Sequence, residues 1–132
     1  MEMFRYLSPE WAQEAYRRLS AELTAERMKF VTSSMVTLYH HCPDGKDRAL
    51  YYRFVEGVID EVSVREGELP EAEFRIIGDY ETFAKISRAE LGSRTALMSG
   101  KLKLQGNMVK ALSLSSVVDR MNKVLAAIPT EY

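Results

Sequence analysis

The chain has 132 residues, of which 46% are hydrophobic and 28% are charged, and its formal net charge is −1. This length and composition predict one globular domain, residues 1–132, that buries enough surface to fold without disulfides or metals. A net charge near zero argues against a nucleic-acid-binding protein, because such proteins usually carry a basic excess.

The cysteine count and the chain ends predict a cytoplasmic protein. Cys42 is the single cysteine, so no intrachain disulfide can form and a reducing compartment is expected. No apolar run approaches the ~18 residues that a membrane helix needs. The N-terminal residues lack the pattern of a secretory signal, and the C-terminal residues match no short address for the peroxisome or the endoplasmic reticulum.

The first predicted element is a helix that begins after Ser8. The Ser8 side chain can cap the helix, Pro9 suits its first position, and Glu10 favours the positive end of the helix dipole. The helical spacing of large apolar residues predicts a buried stripe, whose members are Trp11, Ala15, Tyr16, Leu19 and Leu23.

Four strands are predicted next, because β-branched and aromatic residues become frequent and turn signals separate them. The turns are Pro43-Asp44-Gly45 and Glu56-Gly57. The successive hairpins predict antiparallel pairing of the first three strands. The predicted strands lie at about 30–39, Leu50–Val55, Val58–Val64 and Phe74–Ile77.

The last third alternates short helices with one more strand. Asp79 is predicted to cap a helix that Gly92 ends, and a further helical turn, Ser93–Ser99, is closed by Gly100. The fifth strand is Lys101–Gln105, with Leu102 and Leu104 on one face. Two helices follow, the first capped by Asn107 and the second carrying an apolar stripe from Val117 to Ile128. The whole order predicts an α+β fold, a five-stranded and mostly antiparallel sheet with helices packed on one face.

The stretch Gly-Lys-Leu-Lys-Leu-Gln-Gly-Asn-Met, residues 100–108, resembles the sterol carrier protein type 2 domain family. Members of that family carry a similar lysine-leucine strand, a glycine followed by asparagine or aspartate, and then an apolar helix. The preceding segments fit the family's order of a strand, an aspartate-capped helix and a small apolar turn. The resemblance covers roughly residues 27–125 and is specific over 74–112. At Leu97-Met98 the chain departs from members that have paired aromatics there.

The resemblance implies a sheet and helices that enclose an apolar tunnel for a lipid, namely a fatty acid, a fatty acyl-coenzyme A or a sterol-like molecule. The implied function is non-catalytic lipid binding, with transfer as an extension. Gly92-Ser93-Arg94 precedes a helical turn, so its backbone N–H groups and Arg94 are candidates for contact with an anionic head group, and the alternative is that Arg94 is an ordinary surface charge. The expected lipid-binding side chains are Phe83, Ile86, Leu97, Met98, Leu102, Leu104, Met108, Val109, Leu112, Val117, Met121 and Leu125.

The residues taken alone leave two alternatives open. Leu102 and Leu104 fit a packed core as well as a cavity wall, and methionines fill core gaps as readily as they line an adaptable pocket. A protein-interaction or homodimerisation module, docking through the final apolar stripe, is the alternative function. Contact with a membrane is expected to be transient at most, through Lys103, Lys110 and Arg120.

The run His40-His41-Cys42 is the only cluster that suggests metal or nucleophilic chemistry. On a strand the two histidines point to opposite faces, and a zinc site needs three or four convergent ligands. Cys42 has no oriented base of the kind that nucleophilic catalysis requires. We therefore expect no metal, no cofactor and no enzymatic activity.

Overall fold

The computed structural model describes residues 3–67 and 69–132, and five of the seven strands in these ranges form one sheet. The order in that sheet is β4-β3-β2-β5-β6, and β1 and β7 form a separate two-stranded pair. The strands are β1 (Phe4–Arg5), β2 (Ser33–His40), β3 (Arg48–Val55), β4 (Val58–Arg65), β5 (Phe74–Asp79), β6 (Leu102–Gln105) and β7 (Thr130–Glu131).

The pairing in the five-stranded sheet confirms the predicted mostly antiparallel arrangement. Strands β2, β3 and β4 pair antiparallel as successive hairpins, and β6 pairs antiparallel with β5. Strands β5 and β2 pair in parallel, because the chain crosses from the β4 edge to the opposite side of β2. In this crossing segment, Leu69 and Ala72 pack against a small apolar cluster on the helix-free face of the sheet. That cluster is formed by Val36, Ala49 and Tyr51.

The described residues include five helices, and the main hydrophobic core lies between them and the sheet face that carries Leu50, Tyr52 and Phe54. Helix α1 packs against β4, α5 contacts both α1 and α2, and α3 packs against β6. Helices on one face of the sheet were predicted, and the α+β class is confirmed. The helices are α1 (Pro9–Glu22), α2 (Tyr80–Ser87), α3 (Ser93–Met98), α4 (Met108–Ser113) and α5 (Ser115–Ala126).

Two of the predicted helix caps form and one does not. Ser8 Oγ accepts the Trp11 backbone N–H at 3.1 Å, and Asn107 Oδ1 accepts the Lys110 backbone N–H at 3.1 Å. Asp79 occupies the cap position of α2, but its side chain makes no cap hydrogen bond and instead pairs with His41 Nδ1 at 2.7 Å. A carboxylate that engages a neighbouring ring is turned away from the helix N–H groups.

The end of α2 also differs from the prediction, because the helix ends at Ser87, five positions before Gly92. Gly92 is instead the residue that precedes α3. The chain leaves the helical conformation at Ala89, which has a positive φ of 62°. Gly92 therefore lies at a helix boundary, but that boundary is the start of α3 and not the end of α2.

Phe4–Arg5 and Thr130–Glu131 form a pair of short strands, called here the clasp, which no sequence pattern predicted. Strands β1 and β7 pair in parallel. Trp11 is 1% exposed, its Nε1–H donates to Thr130 Oγ1 at 3.2 Å, and its ring meets Tyr6 edge-on at 5.0 Å. Tyr16, predicted on the same buried stripe, is 41% exposed, so the stripe is narrower than the spacing indicated.

The β3–β4 turn is fixed by a close backbone approach at Gly57. Its φ is +82°, and a Cβ there would lie 2.6 Å from the Ala25 carbonyl oxygen. Gly45 has almost the same φ, +81°, but a Cβ at that position would have nothing within 4 Å. The two glycines share a backbone conformation and differ only in their surroundings.

We expect Gly57→Ala to lower the free energy of unfolding by more than Gly45→Ala does. Positive φ alone costs a non-glycine residue roughly 1–2 kcal/mol, and that cost applies to both variants. The contact with the Ala25 backbone adds at least about 1 kcal/mol at Gly57 only, because main chain cannot swing aside as a side-chain tip can. Urea denaturation of the two variants measures the difference, and equal losses would contradict it.

Candidate functional site: cavities beneath the C-terminal helices

The largest feature between the sheet and the C-terminal helices is an apolar cavity of about 110 Å³, called here the main cavity. By the same measure a single water molecule needs ~10–15 Å³, so the helices do not interlock with the sheet at this point. The floor is formed by strand residues that share one face, Met35, Phe54, Phe74, Ile76, Leu102 and Leu104. The roof is formed by residues of α3, α4, α5 and their junction, Leu97, Ala111, Leu112, Leu114, Val117, Val118 and Met121.

The short helix α4 forms part of this roof without being packed into the core, since none of its residues is buried. It is held at the sheet by Lys110, whose Nζ lies 2.6 Å from Glu73 Oε2. Glu73 Oε1 accepts a hydrogen bond from Ser33 Oγ at 2.5 Å. The Lys110 ammonium and the Ser33 hydroxyl lower the pKa of Glu73, so the carboxylate remains charged and the tether remains intact at neutral pH.

A second cavity of about 70 Å³ adjoins the first, and the two share walls that include Met35, Leu102 and Met121. It is called here the hydroxyl cavity, because side-chain hydroxyl groups line it together with apolar groups. The apolar groups are Phe83, Ile86 and Leu125 in addition to the shared walls. The hydroxyl-bearing residues are Tyr6, Thr37, Tyr39, Tyr52, Ser87 and Ser93.

Most of the residues expected to bind lipid line one of these cavities. The main cavity brings together Leu97, Leu102, Leu104, Leu112, Val117 and Met121. The hydroxyl cavity brings together Phe83, Ile86 and Leu125, and it also contacts Leu102 and Met121.

Three of the expected residues lie on the surface outside both cavities, and this corrects their assignment to the cavity wall. Met98, Met108 and Val109 are 71%, 44% and 79% exposed. Met98 is the last residue of α3, and the other two form the outer side of the first turn of α4. Of the apolar residues of α4, only Ala111 and Leu112 line the main cavity.

Sequence reasoning missed the strand residues of the floor and the tyrosines of the second cavity. Met35 and Ile76 lie on neighbouring parallel strands, and period-two alternation places each on one face of its strand. That signal was present in the sequence, but it does not say which helices cover that face. Tyr6, Tyr39 and Tyr52 come from three separate segments of the chain, and only the fold brings their rings together.

Arg94 lies in α3, is exposed, and contributes to the lining of the main cavity. It makes no ion pair with any residue in 3–67 or 69–132. Its guanidinium is therefore a cationic group at the edge of an otherwise apolar space.

The histidine pair and Cys42 lie away from the cavities and are engaged individually. His40 Nδ1 lies 2.9 Å from Asp47 Oδ2, and His41 pairs with Asp79. Cys42 is buried, its Sγ donates weakly to the Tyr39 carbonyl at 3.6 Å, and burial raises the pKa of its thiol. Within the described ranges, no three His, Cys, Asp or Glu side chains converge as metal ligands do.

The apolar stripe of α5, considered above as a docking surface, faces the chain's own core. Val117, Met121, Val124, Leu125 and Ile128 are each less than a tenth exposed. This stripe is occupied by intrachain packing and is not available to a partner in this conformation. Among the described helices, none has the length and apolar character needed to cross a membrane.

Comparison with solved structures shows the fold to which this arrangement belongs. A crystal structure of sterol carrier protein 2 is 24% identical with a TM-score of 0.82, over 94% of this chain and 99% of that chain. A conserved hypothetical protein from Thermus thermophilus is 23% identical with a TM-score of 0.81, over 99% of this chain and 94% of that one. Palmitated SCP2L2 from Aedes aegypti is 18% identical with a TM-score of 0.61, over 84% and 94%. At these identities the likeness establishes the fold alone.

The family assignment rests on the sequence itself. No curated protein sequence matches this chain. The profile of the SCP-2 sterol transfer family matches residues 14–119, which include the cavity-lining strands β2, β5 and β6 and the helices α2, α3 and α4. The resemblance noted at residues 100–108 thus extends over most of the chain, which belongs to the SCP-2 sterol transfer family.

Proposed function

We propose that this protein binds a lipid by enclosing its hydrocarbon chain in the main cavity, and that it transfers the lipid without chemically changing it. The observation that carries the proposal is the apolar space of about 110 Å³ between β6 and the helices α3 to α5. Removing a hydrocarbon chain from water supplies ~0.8 kcal/mol per methylene. Ten buried carbons would thus supply on the order of 8 kcal/mol before the costs of ordering, and no catalytic group is needed.

The lipid classes that we propose are a fatty acid, a fatty acyl-coenzyme A and a sterol-like molecule. The guanidinium of Arg94 at the cavity edge favours a ligand with an anionic head group, since charge-assisted hydrogen bonds to carboxylate or phosphate are strong. The similar protein from Aedes aegypti is palmitated SCP2L2. We propose the cytoplasm as the site of action, where a free cysteine such as Cys42 stays reduced.

Lipid uptake by the purified protein tests the proposal. We expect native mass spectrometry to detect a bound lipid, and delipidated protein to bind a fluorescent fatty acid saturably at one site per chain. Solvent extraction followed by mass spectrometry identifies the natural ligand class. A protein that is empty as purified and also fails to bind fluorescent fatty acid, fatty acyl-coenzyme A and sterol would refute the function.

A further inference from the structure

The hydroxyl cavity is lined by two hydroxyl groups, carried by almost fully buried residues, that have no hydrogen-bond partner in the described part of the chain. Tyr52 is 4% exposed and Thr37 is 5% exposed, and both line this cavity. Neither side chain makes a hydrogen bond with any residue that the structure describes. Both hydroxyls face the space of the cavity, where a water molecule or a ligand oxygen supplies the hydrogen bond that polar groups in protein interiors usually make.

The register of the sheet explains why both groups face the same space. Tyr52 lies opposite Met35 in the β2–β3 pair, and Thr37 lies two residues further along β2, on the same face as Met35. Both Met35 and Thr37 therefore point beneath the helices. The main cavity adjoins this space, since Met35 lines both cavities.

The remaining hydroxyls of this cavity already have partners within the chain, and the Ser93 hydroxyl donates to Asp119 Oδ1 at 3.4 Å. Tyr6 OH donates to Tyr39 OH at 3.4 Å, and Ser87 Oγ accepts from Tyr132 OH at 2.7 Å. Burial raises the pKa values of Tyr6, Tyr39 and Tyr52 well above that of an exposed tyrosine. These phenols are therefore neutral at physiological pH and can donate as well as accept.

The charge of this cavity separates two kinds of ligand oxygen. Among the described residues that line it, none is charged, and the cationic Arg94 lines the main cavity instead. A carboxylate placed here would lose its hydration with no opposite charge to replace it, which is costly. A hydroxyl or ketone oxygen would lose less and would satisfy Tyr52 and Thr37.

We propose that the hydroxyl cavity is a subsite for an uncharged oxygen, alcohol or ketone, of the bound lipid, held by the hydroxyls of Tyr52 and Thr37. The inference rests on the proposed lipid binding in the adjoining main cavity. The two cavities would therefore bind different ligand oxygens. A carboxylate head group binds near Arg94, whereas a neutral oxygen binds in the hydroxyl cavity.

The test compares two lipids of equal chain length, 1-hexadecanol and hexadecanoate, by displacement of a fluorescent fatty acid. Tyr52→Phe removes only the hydroxyl, and Thr37→Val removes the second one. The matched control is Tyr51→Phe, because Tyr51 is also a buried tyrosine of β3 but lies on the helix-free face. Loss of one neutral hydrogen bond is expected to weaken hexadecanol binding about fivefold in Tyr52→Phe, with hexadecanoate binding unchanged.

The outcomes separate the subsite from the general function. If Tyr52→Phe and Tyr51→Phe bind hexadecanol equally, or if Tyr52→Phe weakens both lipids alike, the subsite is overturned while lipid binding stands. If the wild-type protein binds neither lipid nor the fluorescent fatty acid, the proposed function falls and the subsite falls with it. Thermal unfolding of each variant confirms that an altered affinity is not an altered fold.

Discussion

Replacing Ala111 with tryptophan is expected to weaken lipid binding at least about tenfold, the equivalent of losing roughly two buried methylenes at ~0.8 kcal/mol each. Ala111 lies in α4 and contributes to the roof of the main cavity. An indole at this position extends into the space that the hydrocarbon chain would occupy. Because no residue of α4 is buried, the helix can accept the larger side chain without disturbing the core beneath α1 and α5.

The matched control for this variant is Val109→Trp, in the same helix two residues earlier. Val109 is 79% exposed and lines neither cavity. The control adds the same indole to the same helix, so it is expected to bind lipid as the wild type does. Titration with a fluorescent fatty acid measures both. Equal affinity of Ala111→Trp and wild type would show that the chain does not bind beneath α4.

The largest loss of stability is expected from Trp11→Ala, which should lower the free energy of unfolding by about 3–5 kcal/mol. The Trp11 ring is almost fully buried, stacks edge-on with Tyr6, and donates its indole N–H to Thr130. The substitution thus removes apolar burial and also the contact that ties α1 to the β1–β7 clasp. Thr130 Oγ1 keeps its own bond to the Ile128 carbonyl at 2.7 Å, so the loss comes mainly from the cavity.

Tyr16→Ala provides the comparison, because Tyr16 is an aromatic residue of the same helix on its exposed side. Surface substitutions usually change stability by less than ~0.5 kcal/mol, and alanine is the best helix former. Urea denaturation measures the free energy of unfolding of both variants. The slope of that free energy against urea concentration is expected to stay unchanged. The account of the clasp would be wrong if Trp11→Ala and Tyr16→Ala were equally stable.

Most of the elements could be predicted from local patterns, because local physics decides them. The turn signals at 43–45 and 56–57 separate β2, β3 and β4 in the structure, and Ser8 and Asn107 cap their helices as predicted. The predictions are wrong where a residue from a distant part of the chain bonds to the side chain that the local pattern had assigned to another role. Asp79 has the type and position of a cap, but His41 takes its carboxylate.

The candidate site could be predicted less completely than the fold. A helical or strand period identifies the inward face of an element, and it correctly oriented Leu102, Leu112, Val117 and Met121. It does not tell how far a short helix stands from the sheet. For this reason Met108 and Val109 could not be distinguished from Ala111 and Leu112 before the position of α4 at the main cavity was known.

Residue type, spacing and the motif at 100–108 were enough to establish the strands, most of the helices and the membership in the family. They left open whether the leucines of β6 border a space or a packed core, and whether tyrosines from separate elements meet beside it. The folded chain answered both questions, because a cavity depends on the distance between layers. That distance depends on contacts between residues far apart in the chain, such as Lys110 with Glu73, which no local pattern contains.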